Sequence, residues 1–240
     1  MGHFRWPRLR RSGTVAGVET DVAMTTVRIA STSGAVRVIA EDRADVDVPD
    51  SSTFSVDESV MTVSAGSRRA LVRVPIGTDL VVGTTSGRVE VSGPVGSLAV
   101  TTMSGRVSVE AARSVDIRST SGRIEVGSAT GSCRVSTRSG RVVVGSCGEA
   151  HLTSASGRIS LEVADGPVHA HCVSGRIDVA VSSAQDVEAE TVSGRISVRL
   201  PAGVRPWIVA RRDDAQPESD RYDCVVTARS VNGRIDVVSA

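Results

Sequence analysis

Between residues 78 and 200, small apolar residues alternate with polar ones in pairs of short stretches around a recurring Ser-Gly-Arg tripeptide. Before each tripeptide, apolar residues stand six and four positions ahead of its serine, and Ser, Thr or Cys stands two positions ahead. After it, Val, Ile or Leu stands three and five positions beyond the serine. Alternation with a period of two is typical of strands with one buried face. Each repeat therefore predicts two short strands, one running into the tripeptide and one leaving it.

The tripeptide, called the motif below, recurs at intervals of 17 to 19 residues. Its serines are Ser86, Ser104, Ser121, Ser139, Ser156, Ser174 and Ser193. A degenerate copy begins at Ser33, and a variant, Asn-Gly-Arg, begins at Asn232. Identical units of this length bury their apolar faces only by stacking on one another. The sequence therefore predicts an all-β fold, a single-stranded parallel β-solenoid (β-helix) with coils of about 18 residues.

The glycine of each motif is predicted to be a structural turn residue, because glycine adopts positive φ without steric cost. These glycines are Gly87, Gly105, Gly122, Gly140, Gly157, Gly175, Gly194 and Gly233.

The regularity of the pattern predicts the domain organisation. Residues 1–13 form a disordered basic leader, and residues 14–240 form one β-solenoid domain. Within it, residues 14–77 contain irregular coils that cap the N-terminal end, since an open strand edge invites aggregation. Residues 78–200 contain the regular coils, and residues 201–240 contain a loop insertion followed by a C-terminal coil.

Composition narrows the function classes. The 240 residues carry a formal net charge of +1, which argues against a dedicated nucleic-acid binder. The N-terminus has no apolar run of a secretory signal, and no stretch is long enough to span a membrane as a helix. We therefore expect a cytoplasmic protein. The four cysteines lack metal-binding spacing, so we expect free thiols and no cofactor.

The segment from Val72 to Val89, Val-Arg-Val-Pro-Ile-Gly-Thr-Asp-Leu-Val-Val followed by Thr-Ser-Gly-Arg-Val, carries a family resemblance. It resembles the start of the repeats in DUF4097, a family of bacterial adhesin-like proteins of unknown function. The resemblance covers about residues 25–240. It implies a β-solenoid without established enzymatic activity, and it offers no catalytic residues to carry over. Because many relatives are exported or tethered to membranes, it also leaves association with the cell envelope open.

The motif arginines form the first candidate site. At one per coil, they are predicted to stack on the outside of the solenoid about 4.8 Å apart. We call them the arginine row: Arg88, Arg106, Arg123, Arg141, Arg158, Arg176 and Arg195. Two positions further on, only Glu90, Glu125 and Asp178 supply acids. The row is either a binding site for a linear polyanion, since guanidinium groups suit phosphate and carboxylate, or a solvated face.

Histidines form the second candidate site. His151, His169 and His171 are predicted to point outward from neighbouring coils, with Glu188 on the next coil. Stacking in register would place them within reach of one Zn²⁺ ion, so these four residues are a candidate metal site. The alternative is again a solvated face.

The motif serines recur in every coil, so none of them is a singular nucleophile. We therefore expect a non-enzymatic scaffold or binding protein. Its partner is unknown, and three kinds remain open: another copy of the chain, another protein, or an acidic polymer. A self-assembling structural protein and a polyanion- or metal-binding module are the alternative functions.

Overall fold

A computed structural model describes residues 26–49, 53–57, 59–209 and 222–239. These residues form strands, turns and bends, without any helix among them, which confirms the all-β prediction. The strands are β1 (Thr26–Ser31), β2 (Val36–Glu41), β3 (Thr53–Asp57), β4 (Val60–Gly66), β5 (Ala70–Pro75), β6 (Asp79–Thr84), β7 (Val89–Ala164), β8 (Val168–Val181), β9 (Val187–Leu200), β10 (Pro206–Val209) and β11 (Cys224–Ser239). The predicted leader, residues 1–13, and most of the predicted insertion lie outside the described residues.

Contacts divide the chain into two compact units, residues 1–113 and residues 114–240, called here the N-terminal and C-terminal units. Strand pairing is parallel in both units, except for an antiparallel pair formed by β3 and β4. The parallel β-solenoid prediction is therefore confirmed. The prediction that residues 14–240 make one domain stays a prediction.

The coils of the N-terminal unit do not stack in chain order. Strand β1 lies between β4 and β6, and β2 lies between β5 and the beginning of β7. The coil that comes first in the chain (β1 and β2) is therefore flanked by the second (β4 and β5) and the third (β6 and the start of β7). The second coil is thus the outermost of the three.

A short crossover allows this exchange. Residues 75–78 leave the outermost coil, pass the middle one and enter the third. The amide of Ile76 donates to the carbonyl of Glu41 on the middle coil, and the amide of Gly77 donates to the carbonyl of Pro94 on the third coil. Gly77 has a φ of 81°, which favours glycine. The Val-Pro-x-Gly segment that carries the family resemblance is this crossover.

The outermost coil is covered on both of its strands. Strand β3 pairs antiparallel with β4, and Asp47 exchanges two backbone hydrogen bonds with Arg73 of β5, at 2.9 and 2.8 Å. The carboxylate of Asp47 also pairs with the Arg73 guanidinium at 3.0 Å. These contacts satisfy backbone groups that would otherwise template aggregation. The predicted irregular β cap at the N-terminal end is confirmed.

The C-terminal unit stacks the later coils in register, in the order β7, β8, β9, β11 and β10. Strands β8, β9 and β11 each run without interruption through the motif, where the sequence had predicted two short strands per coil. The reason is that each motif lies in register against the motif of its neighbour, so parallel pairing continues across it.

The core consists of the predicted inward positions, which are buried Val, Ile, Leu, Ala and Cys side chains. In three coils the hydroxyl two residues before the motif serine has a structural role of its own, whereas the equivalent hydroxyls of Thr102 and Thr191 are buried without a hydrogen-bond partner among the described residues. The hydroxyls of Ser119, Thr137 and Ser154 donate to the carbonyl of the motif serine of their own coil, at 3.1 to 3.3 Å. Burial of these polar groups is offset by the hydrogen bonds they make.

Candidate functional site

Four arginines of the C-terminal unit occupy consecutive in-register positions on β7, β8, β9 and β11. They are Arg158, Arg176, Arg195 and Arg234. The stacked motif glycines extend the same alignment to Arg141 and Arg123. All six side chains are exposed except that of Arg176, which is half-buried. Neighbouring parallel strands lie about 4.8 Å apart, so the unit presents a closely spaced line of guanidinium groups.

Few of these charges are neutralised within the part of the chain that the structure describes. Arg123 pairs with Glu125, and Arg234 pairs with Asp236 at 2.7 Å. Four arginines lie between Arg123 and Arg234 in the stack: Arg141, Arg158, Arg176 and Arg195. None of the four makes an ion pair with a described residue, although Asp178 stands two residues after Arg176. The middle of the line is therefore electropositive.

In the N-terminal unit the arginine row contains Arg88 and Arg106, both exposed. Arg88 contacts Glu90 at 3.4 Å, and Arg37 donates to the same carboxylate through two nitrogens, at 3.1 and 2.9 Å. The hydrogen bond from Arg37 is the largest influence on Glu90 and holds the pKa of its carboxyl below the usual range.

Sequence reasoning missed Arg37 and Arg69. Arg37 stands four residues after Ser33, and Arg69 stands two residues after Ser67. The available signal for Arg69 was spacing, because Ala70 and Val72 stand three and five positions after Ser67, as in the regular coils.

The structure brings the three predicted histidines together on one outward face of the C-terminal unit. The rings of His151 and His169 stack with centroids 4.8 Å apart and planes inclined by 8°. Each ring also faces a carboxylate: Nε2 of His151 lies 2.7 Å from Glu149, and Nδ1 of His169 lies 2.9 Å from Glu188. His171 lies 3.9 Å from Glu190.

This geometry consists of separate His–Glu pairs. Nearly parallel rings direct their nitrogens side by side, whereas a tetrahedral metal needs donors that converge on one point. Among the residues that the structure describes, no group of three or more His, Cys, Asp or Glu side chains could hold a metal ion. The metal site stays a prediction, and the arrangement as it stands forms a face of mixed charge.

The four cysteines are free and buried, as expected for thiols without metal spacing. Burial, together with the neighbouring thiol of Cys147, raises the pKa of Cys133 to about 12. Burial likewise raises the pKa of Cys147 to about 11. Raised pKa values suppress the nucleophilic thiolate, so these side chains serve as small apolar residues of the core.

No helix among the described residues is long and apolar enough to cross a lipid bilayer.

Comparisons with known proteins bear on the fold and the family. A crystal structure of a "putative adhesin" from Bacteroides fragilis matches with 14% identity and a TM-score of 0.38, covering 90% of this chain and 93% of that one. A crystal structure of a "putative cell adhesion protein" from Clostridium sporogenes matches with 10% identity and a TM-score of 0.22, covering 94% and 98%. A comparison with curated proteins found no match.

The model of the Toastrack DUF4097 family matches residues 10–207. This range contains the crossover, the cap and all seven Ser-Gly-Arg motifs. The chain belongs to the Toastrack DUF4097 family.

Proposed function

We propose that this protein is a non-enzymatic binding scaffold in which the part of the arginine row that lies in the C-terminal unit, Arg123 to Arg195, holds a linear acidic polymer. The observation that carries the proposal is the in-register alignment of Arg158, Arg176 and Arg195, together with the lack of ion pairs for these side chains among the described residues. Like charges this close repel one another, and a polyanion lying along the line would remove that repulsion.

The residue type suits such a ligand. A guanidinium group is always charged, and its planar fork matches phosphate and carboxylate groups bidentately. Strands keep the spacing fixed, so a polymer of repeating charge meets a repeating site without reorganisation of the backbone. The whole chain has a net charge of only +1, so binding would depend on this local line and not on general attraction.

The test compares three-residue variants of equal charge. In the first, Arg141, Arg158 and Arg195 are changed to Gln. In the control, three exposed arginines of the same unit that lie outside the row, Arg134, Arg138 and Arg199, are changed to Gln. Binding to inorganic polyphosphate is measured by calorimetry at several salt concentrations, with folding checked by circular dichroism. We expect the row variant to lose most of its affinity and to show a salt dependence lower by about two released counterions.

The control variant should bind nearly as well as the wild type. Equal weakening of both variants would mean that polyphosphate responds to net charge alone, and the proposal would be wrong. A wild type that does not bind polyphosphate at low salt would also contradict it. The cytoplasmic location stays a prediction.

A further inference from the structure

The line of motif arginines in the N-terminal unit is interrupted at one coil. The middle coil carries Ser33-Gly34-Ala35, so alanine stands where the neighbouring coil has Arg88. Because the stacking order is exchanged, the coil on the other side is the one that contains Ser67, Arg68 and Arg69. Arg69 is thus the residue that faces Arg88 across the position of Ala35.

Strand register supports this alignment. Val36 pairs with Ala70 on one side and with Val89 on the other, so the residues before them are also neighbours. Stacking at the motif agrees, since a Cβ on Gly34 would overlap with the carbonyl oxygen of Arg68, and one on Gly87 would overlap with that of Gly34. With a strand spacing of about 4.8 Å, the backbones of Arg69 and Arg88 lie about 9.6 Å apart.

A cleft of about 610 Å³ lies at the position of Ala35. Ala35 and Leu71 contribute half-buried apolar side chains, whereas Val36 and Ala70 border the cleft but have their side chains in the core. The charged lining residues are Arg37, Arg69, Arg88 and Glu90.

The charges of the cleft do not cancel. Glu90 neutralises one of three guanidinium groups and fixes the position of Arg37 through two hydrogen bonds. Arg69 is exposed and makes no ion pair with a described residue. The formal charge of the lining is therefore +2, on a concave surface where field lines are focused.

We propose that this cleft is a binding site for a dianionic tetrahedral group, such as the phosphate of a phosphate monoester. Arg69 and Arg88 flank the site and approach the anion from opposite sides, while Arg37 contacts it from the middle strand. A dianion neutralises the charge of +2, and guanidinium forks provide bidentate donors for its oxygens. The volume of the cleft exceeds that of phosphate alone, so the exposed parts of Ala35 and Leu71 are available to the organic part of the ester.

The first experiment titrates the full chain with inorganic phosphate and, separately, with sulfate, and measures binding by calorimetry at constant ionic strength. The decisive variant is Ala35→Glu, which places a carboxylate between Arg69 and Arg88, where it competes with the anion for both guanidinium groups. We expect it to fold like the wild type and to lose saturable binding of both ions. Arg69→Gln should weaken binding about tenfold, because charge-assisted hydrogen bonds are lost.

Arg106→Gln is the matched control, since Arg106 belongs to the arginine row of the same unit but does not line the cleft. It should bind phosphate with unchanged affinity. Undiminished binding by a folded Ala35→Glu variant, or no saturable binding of either ion by the wild type, would overturn the proposal.

A pH series tests the charge of the ligand. The second pKa of phosphate lies at about 6 in monoesters and at about 7 in the inorganic ion, so binding of inorganic phosphate should weaken between about pH 8 and pH 6, whereas sulfate binding should stay constant. Equal behaviour of the two ions would contradict recognition of a dianion.

This proposal does not depend on the polymer proposal, because the two concern different units. Loss of polyphosphate binding in the Arg141, Arg158 and Arg195 variant leaves the cleft intact, and Ala35→Glu leaves the row of the C-terminal unit intact.

Discussion

At the scale of single residues, three motif glycines, Gly140, Gly157 and Gly175, are constrained twice. Gly140 has a φ of 142°, in a region that residues with a side chain avoid. In addition, a Cβ on Gly140 would overlap with the carbonyl oxygen of Gly122 on the neighbouring coil. The close approach of stacked backbones therefore requires glycine independently of the backbone conformation.

The outermost coil provides an exception that supports this explanation. It carries Arg68 at the position of the motif glycine. A Cβ added to a motif glycine would point toward the neighbouring coil on the outermost side of the stack. On Gly34 it would point toward Arg68, and on Gly87 toward Gly34. No described coil lies beyond the one that contains Arg68 in the stack, so a side chain is tolerated there.

Substitution of Gly140 by Ala should lower the free energy of unfolding by at least about 2 kcal/mol, because it adds backbone strain and a steric overlap. Gly83→Ala is the control, since a Cβ at Gly83 meets no atom within 4 Å and its φ is not positive. Urea denaturation of both variants gives the comparison. Equal stability of the two variants would show that the stacked glycines are not closely packed.

The buried thiol of Cys133 predicts a loss of stability at alkaline pH. Its pKa is raised to about 12 in the folded state, so only the unfolded chain ionises it from about pH 9 upward. This contribution is fully present below pH 9 and falls by about 1.4 kcal/mol per pH unit as the pH rises toward 12.

The measurement is the free energy of unfolding between pH 8 and pH 11. Relative to the wild type, Cys133→Ala should lower the stability throughout, because it leaves a cavity, but its decline above pH 9 should be shallower. Parallel curves for the two proteins would mean that Cys133 does not contribute to the alkaline transition.

At the scale of elements, alternation of inward and outward residues decides whether a coil packs. Val142 is 1% exposed, and its neighbour Val143 is half-buried on the outer face. Both are valines of the strand segment that follows the same motif, so they differ only in the direction in which their side chains point.

Val142→Asp should abolish cooperative folding, because an isolated carboxylate would be buried between apolar layers. Val143→Asp should fold with a stability within about 1 kcal/mol of the wild type. Circular dichroism with thermal unfolding distinguishes the two. A cooperative transition in Val142→Asp at the wild-type temperature would refute the assignment of inward positions.

The crossover at residues 75–78 has the sequence of an ordinary turn, but in the structure it changes the stacking order of the coils. Its proline and glycine are typical of any turn. Only the hydrogen bonds to Glu41 and Pro94 reveal that it passes one coil and enters the next.

At the scale of the whole molecule, two candidate binding surfaces are both formed by arginines, but they arise in different ways. In the C-terminal unit, uninterrupted repetition aligns Arg158, Arg176 and Arg195 into a line suited to a polymer. In the N-terminal unit, one alanine interrupts the alignment and leaves a cleft suited to a single anion. Repetition provides the scaffold, and departure from repetition provides a distinct site.

The sequence by itself determined the all-β parallel solenoid, the inward positions and the outward line of arginines. Strict spacing of Val, Ile and Ser-Gly-Arg is sufficient for this, because identical coils can bury their apolar faces only by stacking in register. The histidines were also assigned to one face, since they stand five or three positions before the motif serine, and both are outward positions of the same strand.

Only the tertiary structure decided the order of the N-terminal coils, because the pairing of β1 between β4 and β6 depends on contacts between segments distant in the chain. The cleft follows from that order: in chain order Arg69 would not face Arg88 across Ala35. The pairing of each histidine with its own glutamate was also decided there, since side-chain direction on a strand surface is set by neighbours in space. Local spacing fixes what a coil contains, whereas stacking fixes which coils meet.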